Sequence, residues 1–441
     1  MSRLVLADEM LTKLRSELLS SNDETCALLF GRSVVKNDRV VRFIVREYQR
    51  IDDKDYQHRS PISAQLRPEV VATAAQRARK TGESIVFAHT HPMPLNEFSA
   101  IDDWGEKQLA EFLCRRTPNV RHAAMLLTPE ITLSRVLSSA EELLVGGIGS
   151  TIAWGKNPNS ATKEEIFDRQ VRLFGNAGQG RLRELKIGIV GLGGTGSVVL
   201  EELVRLGIER FLLIDPDTVE SSNLNRLIGS SQQTIGLRKV DVAAEHARQI
   251  NPKIEIAVVP SSVLLAKVAE ELCDTDFLFC CTDSQGSRAV INQLAYQYLI
   301  PTIDMGVAIV VANDRISHIA GRTQMLAPGL GCLVCGSLLD PEAVRVDLLT
   351  EFERAADPYI IGLHEPAPAV ISLNATVASM AVTMFLGATL GIPANARLIN
   401  YNGITGITRT AAITPHPTCI ACSVSGALAR ANEWPLPARL S

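Results

Sequence analysis

Aromatic residues are scarce in this chain, at 5% of 441 positions, so any large core has to be built from aliphatic side chains. Charge of one sign is also lacking. The formal net charge is -4 and Lys and Arg are scattered, which excludes the basic face a nucleic-acid binder needs. The opening MSRLVLADEMLTKL has no basic segment leading into an apolar run, so no signal peptide is expected and a cytoplasmic location with reduced thiols follows. There are no internal repeats and no low-complexity tract. One charge-free run, Pro368 to Pro393, is long enough for a membrane span, but Ser372, Asn374, Thr376, Ser379 and Thr383 interrupt it. A buried core helix is the better expectation, and no membrane partner.

What is present is a hydrophobic content of 46% over 441 residues, enough for two or three domains. Short strand-like runs (CALLFG, RVVRFIV, SIVFAHTH, AAMLLT) alternate with helix candidates at 68–80 and 102–115, predicting a compact mixed α/β domain over 1–145. The Gly-, Ser- and Asn-rich stretch 146–162 reads as a linker. From 163 to 441 strands KIGIVG, RFLLID, EIAVVP and DFLFCCTD alternate with helices, the order of a doubly wound, Rossmann-like parallel sheet. The fold class is α/β in both halves.

His89-Thr-His91-Pro92 closes one predicted strand, and Ser99 and Asp102 follow a short spacer. Residues i and i+2 of a strand share a face, so both imidazoles can address one metal, and Asp102 can return from a helix start as an oxygen ligand. Two His, one carboxylate and an open position suit catalytic zinc. Glu24 is the candidate general base, with Asp23 beside it as the rival. Ser99 is the candidate oxyanion donor. The H-x-H-P-x6-S-x-x-D pattern with an upstream glutamate resembles the JAMM (JAB/MPN-plus) metalloproteases. That resemblance implies zinc ligands His89, His91 and Asp102, base Glu24 and oxyanion donor Ser99.

Gly191, Gly193, Gly194 and Gly196 join a strand to a helix, with Asp215 further on. Alone this suits a dinucleotide site as well as an ATP site. Asn223, Arg226, Lys239 and Asp283 favour a nucleotidyl transferase, which needs cations for phosphates and a carboxylate for Mg2+. From Phe167 to Cys422 the chain resembles the ThiF/MoeB/HesA branch of the ubiquitin-activating superfamily. The resemblance implies ATP on Gly194 and Asp215, phosphate contacts from Asn223, Arg226 and Lys239, and Mg2+ on Asp283. It also implies a homodimer in which Arg169 reaches the partner's site.

Cys332/Cys335 and Cys419/Cys422 form two C-x-x-C pairs, the pattern of a structural zinc, with a redox motif as the alternative. Cys280 and Cys281 sit in an apolar strand and read as core. Full ubiquitin-activating enzymes carry a nucleophilic cysteine between such pairs, and this chain has none. Adenylation without an obligatory thioester is therefore expected.

The combined expectation is an Mg-ATP-dependent activator of a ubiquitin-like or sulfur-carrier protein ending in Gly-Gly, fused to a zinc isopeptidase that trims or deconjugates it. A conjugating enzyme is a further partner this allows. Sulfur-carrier activation for cofactor synthesis and a non-catalytic adaptor or sensor stay open as alternatives.

Overall fold

The computed structural model of the chain describes residues 2–93, 95–137, 139–156, 164–312, 315–356 and 368–440. They divide into two compact units. The first is Met1–Asn157 with the short segments Gln297–Leu299 and Ala427–Trp434, and the second is the remainder.

The first unit runs β1 (Ser2–Ala7), α1 (Asp8–Leu18), β2 (Cys26–Lys36), β3 (Arg39–Arg50), β4 (Tyr56–Ser60), β5 (Ser63–Leu66), α2 (Pro68–Thr81), β6 (Ser84–Thr90), α3 (Ala100–Arg116), β7 (Ala123–Leu127), β8 (Thr132–Val136), β9 (Glu142–Ile148) and β10 (Ile152–Trp154). Its main sheet has the order β1-β3-β2-β6-β7-β8-β9-β10, and β1 also pairs with β9. Strand alternation separates two cores. Val86 and Ala88 of β6 pack with Leu11, Leu14 and Leu18 of α1, while Ile85 and Phe87 pack with Ala74, Ala75 and Ala78 of α2 and Leu113 of α3. Each fully buried Leu or Phe contributes about 1.5–3 kcal/mol relative to exposure. His89, two residues beyond Phe87, therefore opens on the α3 face.

The stretch expected as a linker from residue 146 begins instead within the sheet, with 146–148 and 152–154 in strands. Gly146 and Gly147 lie in β9, which pairs with β1 and β10. A Cβ on Gly147 would sit 2.9 Å from both Asp8 Oδ1 and Leu11 Cδ2, so this glycine permits close packing against α1 and does not mark a flexible joint. The rest of the expected linker, 157–162, lies outside the described residues. The tail also departs from the expected domain limits, because Ala427–Trp434 belongs to the first unit. There Glu433 forms ion pairs with Arg32 and, at 3.9 Å, with Arg46.

The second unit contains α4 (Asp168–Glu184), β11 (Lys186–Val190), α5 (Gly194–Arg205), β12 (Arg210–Ile214), α6 (Lys239–Ile250), β13 (Glu255–Val259), α7 (Ala266–Glu271), β14 (Phe277–Cys280), α8 (Gln285–Gln297), β15 (Thr302–Ala312), β16 (Arg315–Leu326), α9 (Pro341–Leu348), α10 (Glu351–Ala356), α11 (Ile371–Leu390), β17 (Leu398–Asn402) and β18 (Ile407–Thr410). The strand order is β13-β12-β11-β14-β15-β16-β17-β18. Its first five strands are parallel and the rest antiparallel. The crossover direction reverses between β11 and β14, the place where doubly wound sheets bind ligands at their carboxyl edge. The apolar run forms α11, which buries Leu373, Val377, Ala381, Val382 and Phe385, as an apolar core helix should.

Candidate functional site

In the first unit β6 delivers His89 and, just past its end, His91, whose backbone N–H donates to Leu127 O at 3.0 Å. Asp102 is the third residue of α3. Ser99 is that helix's N-cap, and the two residues form a reciprocal capping box, which fixes the carboxylate at the helix start. His89 Nε2 lies 3.1 Å from Asp102 Oδ1, and His91 Nε2 lies 3.3 Å from Asp102 Oδ2. One ligand atom from each of the three side chains lies within 4.8 Å of the others, close enough to share a zinc with bonds of about 2.0–2.2 Å. His91 Nδ1 faces Leu95 O at 3.1 Å, so its proton sits there and Nε2 keeps a lone pair. His89 Nε2 is buried without a hydrogen-bond partner, an orphan that a cation would satisfy. The residues therefore fit zinc.

Glu24 is buried and its Oε1 stands 3.8 Å from His91 Nε2. Thr25 anchors it by accepting the Thr90 N–H at 3.0 Å and donating its own N–H to Thr90 Oγ1 at 2.9 Å. Asp23 turns toward Arg59, 3.9 Å away, so Glu24 and not Asp23 faces the centre. Desolvation raises the Glu24 pKa, against the pull of His89 and His91. Burial would raise Asp102 as well, but the His89 and His91 imidazoles beside it and the Ser99 hydroxyl hold its carboxyl well below the carboxylate range. Ser99 Oγ donates to Asp102 Oδ2 at 2.7 Å. The expected oxyanion role would require that hydroxyl to turn away from Asp102.

In the second unit the turn leaving β11 depends on its glycines. Gly191 has φ of +89°, and a Cβ on Gly196 would lie 1.9 Å from Gly191 O. Side chains are excluded at both positions, which lets phosphate approach the start of α5. Gly193 is the N-cap and offers no side-chain cap to the first-turn N–H groups. Asp215, at the end of β12, is buried. Its carboxylate accepts the N–H groups of Leu192 at 2.6 Å and Asp217 at 2.9 Å, and burial raises its pKa despite them. A Cβ on Gly194 would lie 3.3 Å from Arg226 Cδ, which puts the Arg226 stem beside the α5 N-terminus. Asn223 Oδ1 accepts the Glu220 N–H at 3.2 Å. Lys239 Nζ is paired with Asp217 Oδ2 at 2.8 Å, so a phosphate would have to draw it away. Asp283 is exposed just beyond β14. Arg169 is exposed on the first turn of α4, before a break at Gly175, and among the described residues no hydrogen bond or ion pair joins it to this group.

The four cysteine thiols gather with all sulfurs within 4.8 Å of one another. Cys332 Sγ is 3.7 Å from Cys335 Sγ and 3.5 Å from Cys419 Sγ, and Cys335 Sγ is 3.5 Å from Cys422 Sγ. A tetrahedron with zinc–sulfur bonds of about 2.3 Å has edges of roughly 3.8 Å. The N–H groups of Cys335 and His416 point at sulfur. Hydrogen bonds from Cys422 and from the Cys335 N–H draw the Cys332 thiol below its ordinary range against the effect of burial. This is a closed thiolate cluster able to hold zinc.

Residues 167–421 match the ThiF family and residues 5–133 match prokaryotic homologs of the JAB domain. The chain belongs to the ThiF family. Among its relatives are a ubiquitin-like modifier-activating enzyme 5 of Bombyx mori (29% identical, covering 54% of this chain and 59% of the relative) and a molybdopterin-synthase adenylyltransferase of Escherichia coli (29%, covering 58% and 95%). A SAMP-activating enzyme of Haloferax volcanii is 24% identical, covering 60% of this chain and 91% of that protein. The chain spans little more than half the length of the Bombyx relative.

Sequence reasoning missed several residues of the ThiF unit. Asn374, visible only as a polar break in the α11 run, presses its Nδ2 to within 2.0 Å of where a Gly194 Cβ would be. Asp304 is fully buried, paired with Arg322 and lying 3.5 Å from Arg288 Nε. Arg288 and Arg322 line a cavity of about 580 Å³ with His318, Asn400 and Arg409. Cys280 and Cys281 are buried and burial pushes both thiols up, as core residues and not as nucleophiles.

Proposed function

We propose that the ThiF unit uses Mg-ATP to adenylate the C-terminal glycine of a ubiquitin-like or sulfur-carrier protein ending in Gly-Gly, and that the JAB unit is a zinc (iso)peptidase acting on that carrier. The observation that carries the first part is the side-chain-free turn at Gly191 and Gly196 backed by the buried Asp215. The relatives named above support it. In the reaction the carrier carboxylate attacks the α-phosphorus of ATP, the bond to the bridging oxygen of pyrophosphate breaks, and an acyl adenylate forms. The α5 N-terminus and Arg226 hold phosphate oxygens, Lys239 joins them on leaving Asp217, and Asp215 accepts ribose hydroxyls. Asp283 holds Mg2+, and Arg169 completes the site from the second subunit of a homodimer. No thioester on this chain is required, since no cysteine lies between Cys335 and Cys419.

For the JAB unit, the gathering of His89, His91 and Asp102 with their ligand atoms within 4.8 Å of one another supports the peptidase reading. Zinc held by His89, His91 and Asp102 would supply Lewis acidity and an activated water. Glu24 would accept a proton beside those ligands and return it to the leaving amine. Trimming a precursor and releasing conjugated carrier use the same residues, and a conjugating enzyme is a partner of the second route. The reading places the protein in the cytoplasm, where thiolates stay reduced.

The test is intact-mass analysis of a carrier ending in Gly-Gly after incubation with the full chain and Mg-ATP. One added adenylyl group, absent with Asp283→Ala, supports the reading. An unmodified carrier across a panel of such proteins, from folded and ATP-binding chain, favours an adaptor that keeps the fold without turnover.

A further inference from the structure

Arg135 lies on β8, opposite Ala124 of β7, and β7 pairs with the strand carrying His89. From there its guanidinium grips three side chains of the segment that bears Ser99 and Asp102. Arg135 Nε meets Glu106 Oε2 at 2.8 Å, and Nη2 meets Asp103 Oδ1 at 2.7 Å. Its central carbon lies 3.9 Å from the centre of the Phe98 ring, and that ring is 6.1 Å from the ring of His89. The contacts bracket Asp102 on both sides in sequence. The Arg135 side chain is 14% exposed and that of Glu106 11%, so the pair is well shielded from solvent screening. A planar fork satisfied on two carboxylates and stacked on an aromatic ring has one geometry, which an ammonium cannot reproduce.

We propose that Arg135 is a positioning residue of the metal centre: by holding Phe98, Asp103 and Glu106 it fixes the first turn of α3 so that Asp102 faces His89 and His91. This rests on the zinc reading of the JAB unit. Supporting groups behind metal ligands set affinity as well as orientation, by about 10–100-fold.

The test uses the full chain with zinc competed by a chromophoric chelator, and cobalt(II) absorption as a second readout. The His91→Ala chain defines what the cysteine cluster contributes. Arg135→Ala should weaken zinc at the histidine site by about 10–100-fold and alter the cobalt bands, with Arg135→Lys intermediate. Thermal melting of the metal-free proteins separates affinity from folding. If Arg135→Ala does not fold, Arg135→Lys and the isosteric Glu106→Gln decide by the same readouts. Folded variants with lowered melting temperature but unchanged affinity and cobalt bands would overturn the proposal, leaving Arg135 a purely structural contact. A wild-type chain that binds no more metal than His91→Ala would overturn the zinc reading itself.

Discussion

The Asp215 carboxylate accepts the backbone N–H of Leu192 at 2.6 Å, so the end of β12 holds in place the glycine turn that leaves β11. Its other oxygen takes the Asp217 N–H at 2.9 Å, and Lys239 is paired with Asp217. One buried carboxylate thus orders both the phosphate turn and the lysine beyond it. Removing it leaves the buried Leu192 N–H unsatisfied and frees the part-buried Asp217 N–H. Asp215→Ala should cost about 1–3 kcal/mol of stability and weaken ATP by at least roughly tenfold, about 1.4 kcal/mol. Asp215→Asn, which keeps one acceptor, should fall between. Thermal melting and calorimetric ATP titration read both effects, and unchanged ATP affinity in folded Asp215→Ala would count against the assignment.

The peptidase and the activating site can be separated with one substrate pair. A carrier extended by a short peptide beyond Gly-Gly should support pyrophosphate exchange with wild-type chain and fail with His91→Ala, while the mature carrier should support it with both. Equal exchange with the extended carrier in both proteins would remove trimming from the account and leave deconjugation as the JAB unit's task.

The thiolate cluster is expected to hold structural zinc. Cys332→Ser should release about one zinc per chain and cost on the order of 3–5 kcal/mol, lowering the melting temperature by roughly 10 °C for a unit of this size. Strong chelators should do the same to wild type. Metal analysis together with calorimetry checks this. A zinc-free wild type with unaltered melting would return the C-x-x-C pairs to a redox reading.

Acid sensitivity should arise at His122, a buried histidine that belongs to none of the three candidate sites. Its Nδ1 accepts the Ile85 N–H at 3.0 Å and its Nε2 faces Thr117 Oγ1 at 2.9 Å, which holds the ring neutral. Burial lowers its pKa to about 4, against about 6.5 unfolded. The unfolded chain therefore binds the extra proton first. Stability from this group is complete above about pH 6.5 and is lost as the pH falls toward 4, by on the order of 3 kcal/mol. Unfolding of His122→Gln measured across that range should show a shallower acid slope than wild type. Identical slopes would assign the acid loss to other groups.

Much of the site was legible because it is local. His89 and His91 share a strand face, and Ser99 and Asp102 share the first turn of a helix, so spacing alone placed them together. Glu24 was ambiguous against Asp23 because neighbouring side chains point oppositely, and the approach of Glu24 to His91 and of Asp23 to Arg59 shows which is which. Gly146 and Gly147 misled by composition. Gly147 serves close packing of β9 on α1, and the pairing of β9 with β1 joins opposite ends of the domain. Arg135 and Asn374 were missed for the same reason. Their partners lie far along the chain, and a single arginine or a polar break in an apolar run carries no local pattern. Glu433 was hidden by its place in a weakly patterned tail.

The most direct test of carrier activation is ATP–pyrophosphate exchange by the purified full chain with candidate ubiquitin-like proteins ending in Gly-Gly, beside Asp283→Ala. Exchange that requires both the carrier and Asp283 is the predicted result. No exchange with any carrier, from a folded chain that binds ATP and zinc, would contradict it and leave a JAB domain attached to a nucleotide-binding ThiF unit that does not adenylate.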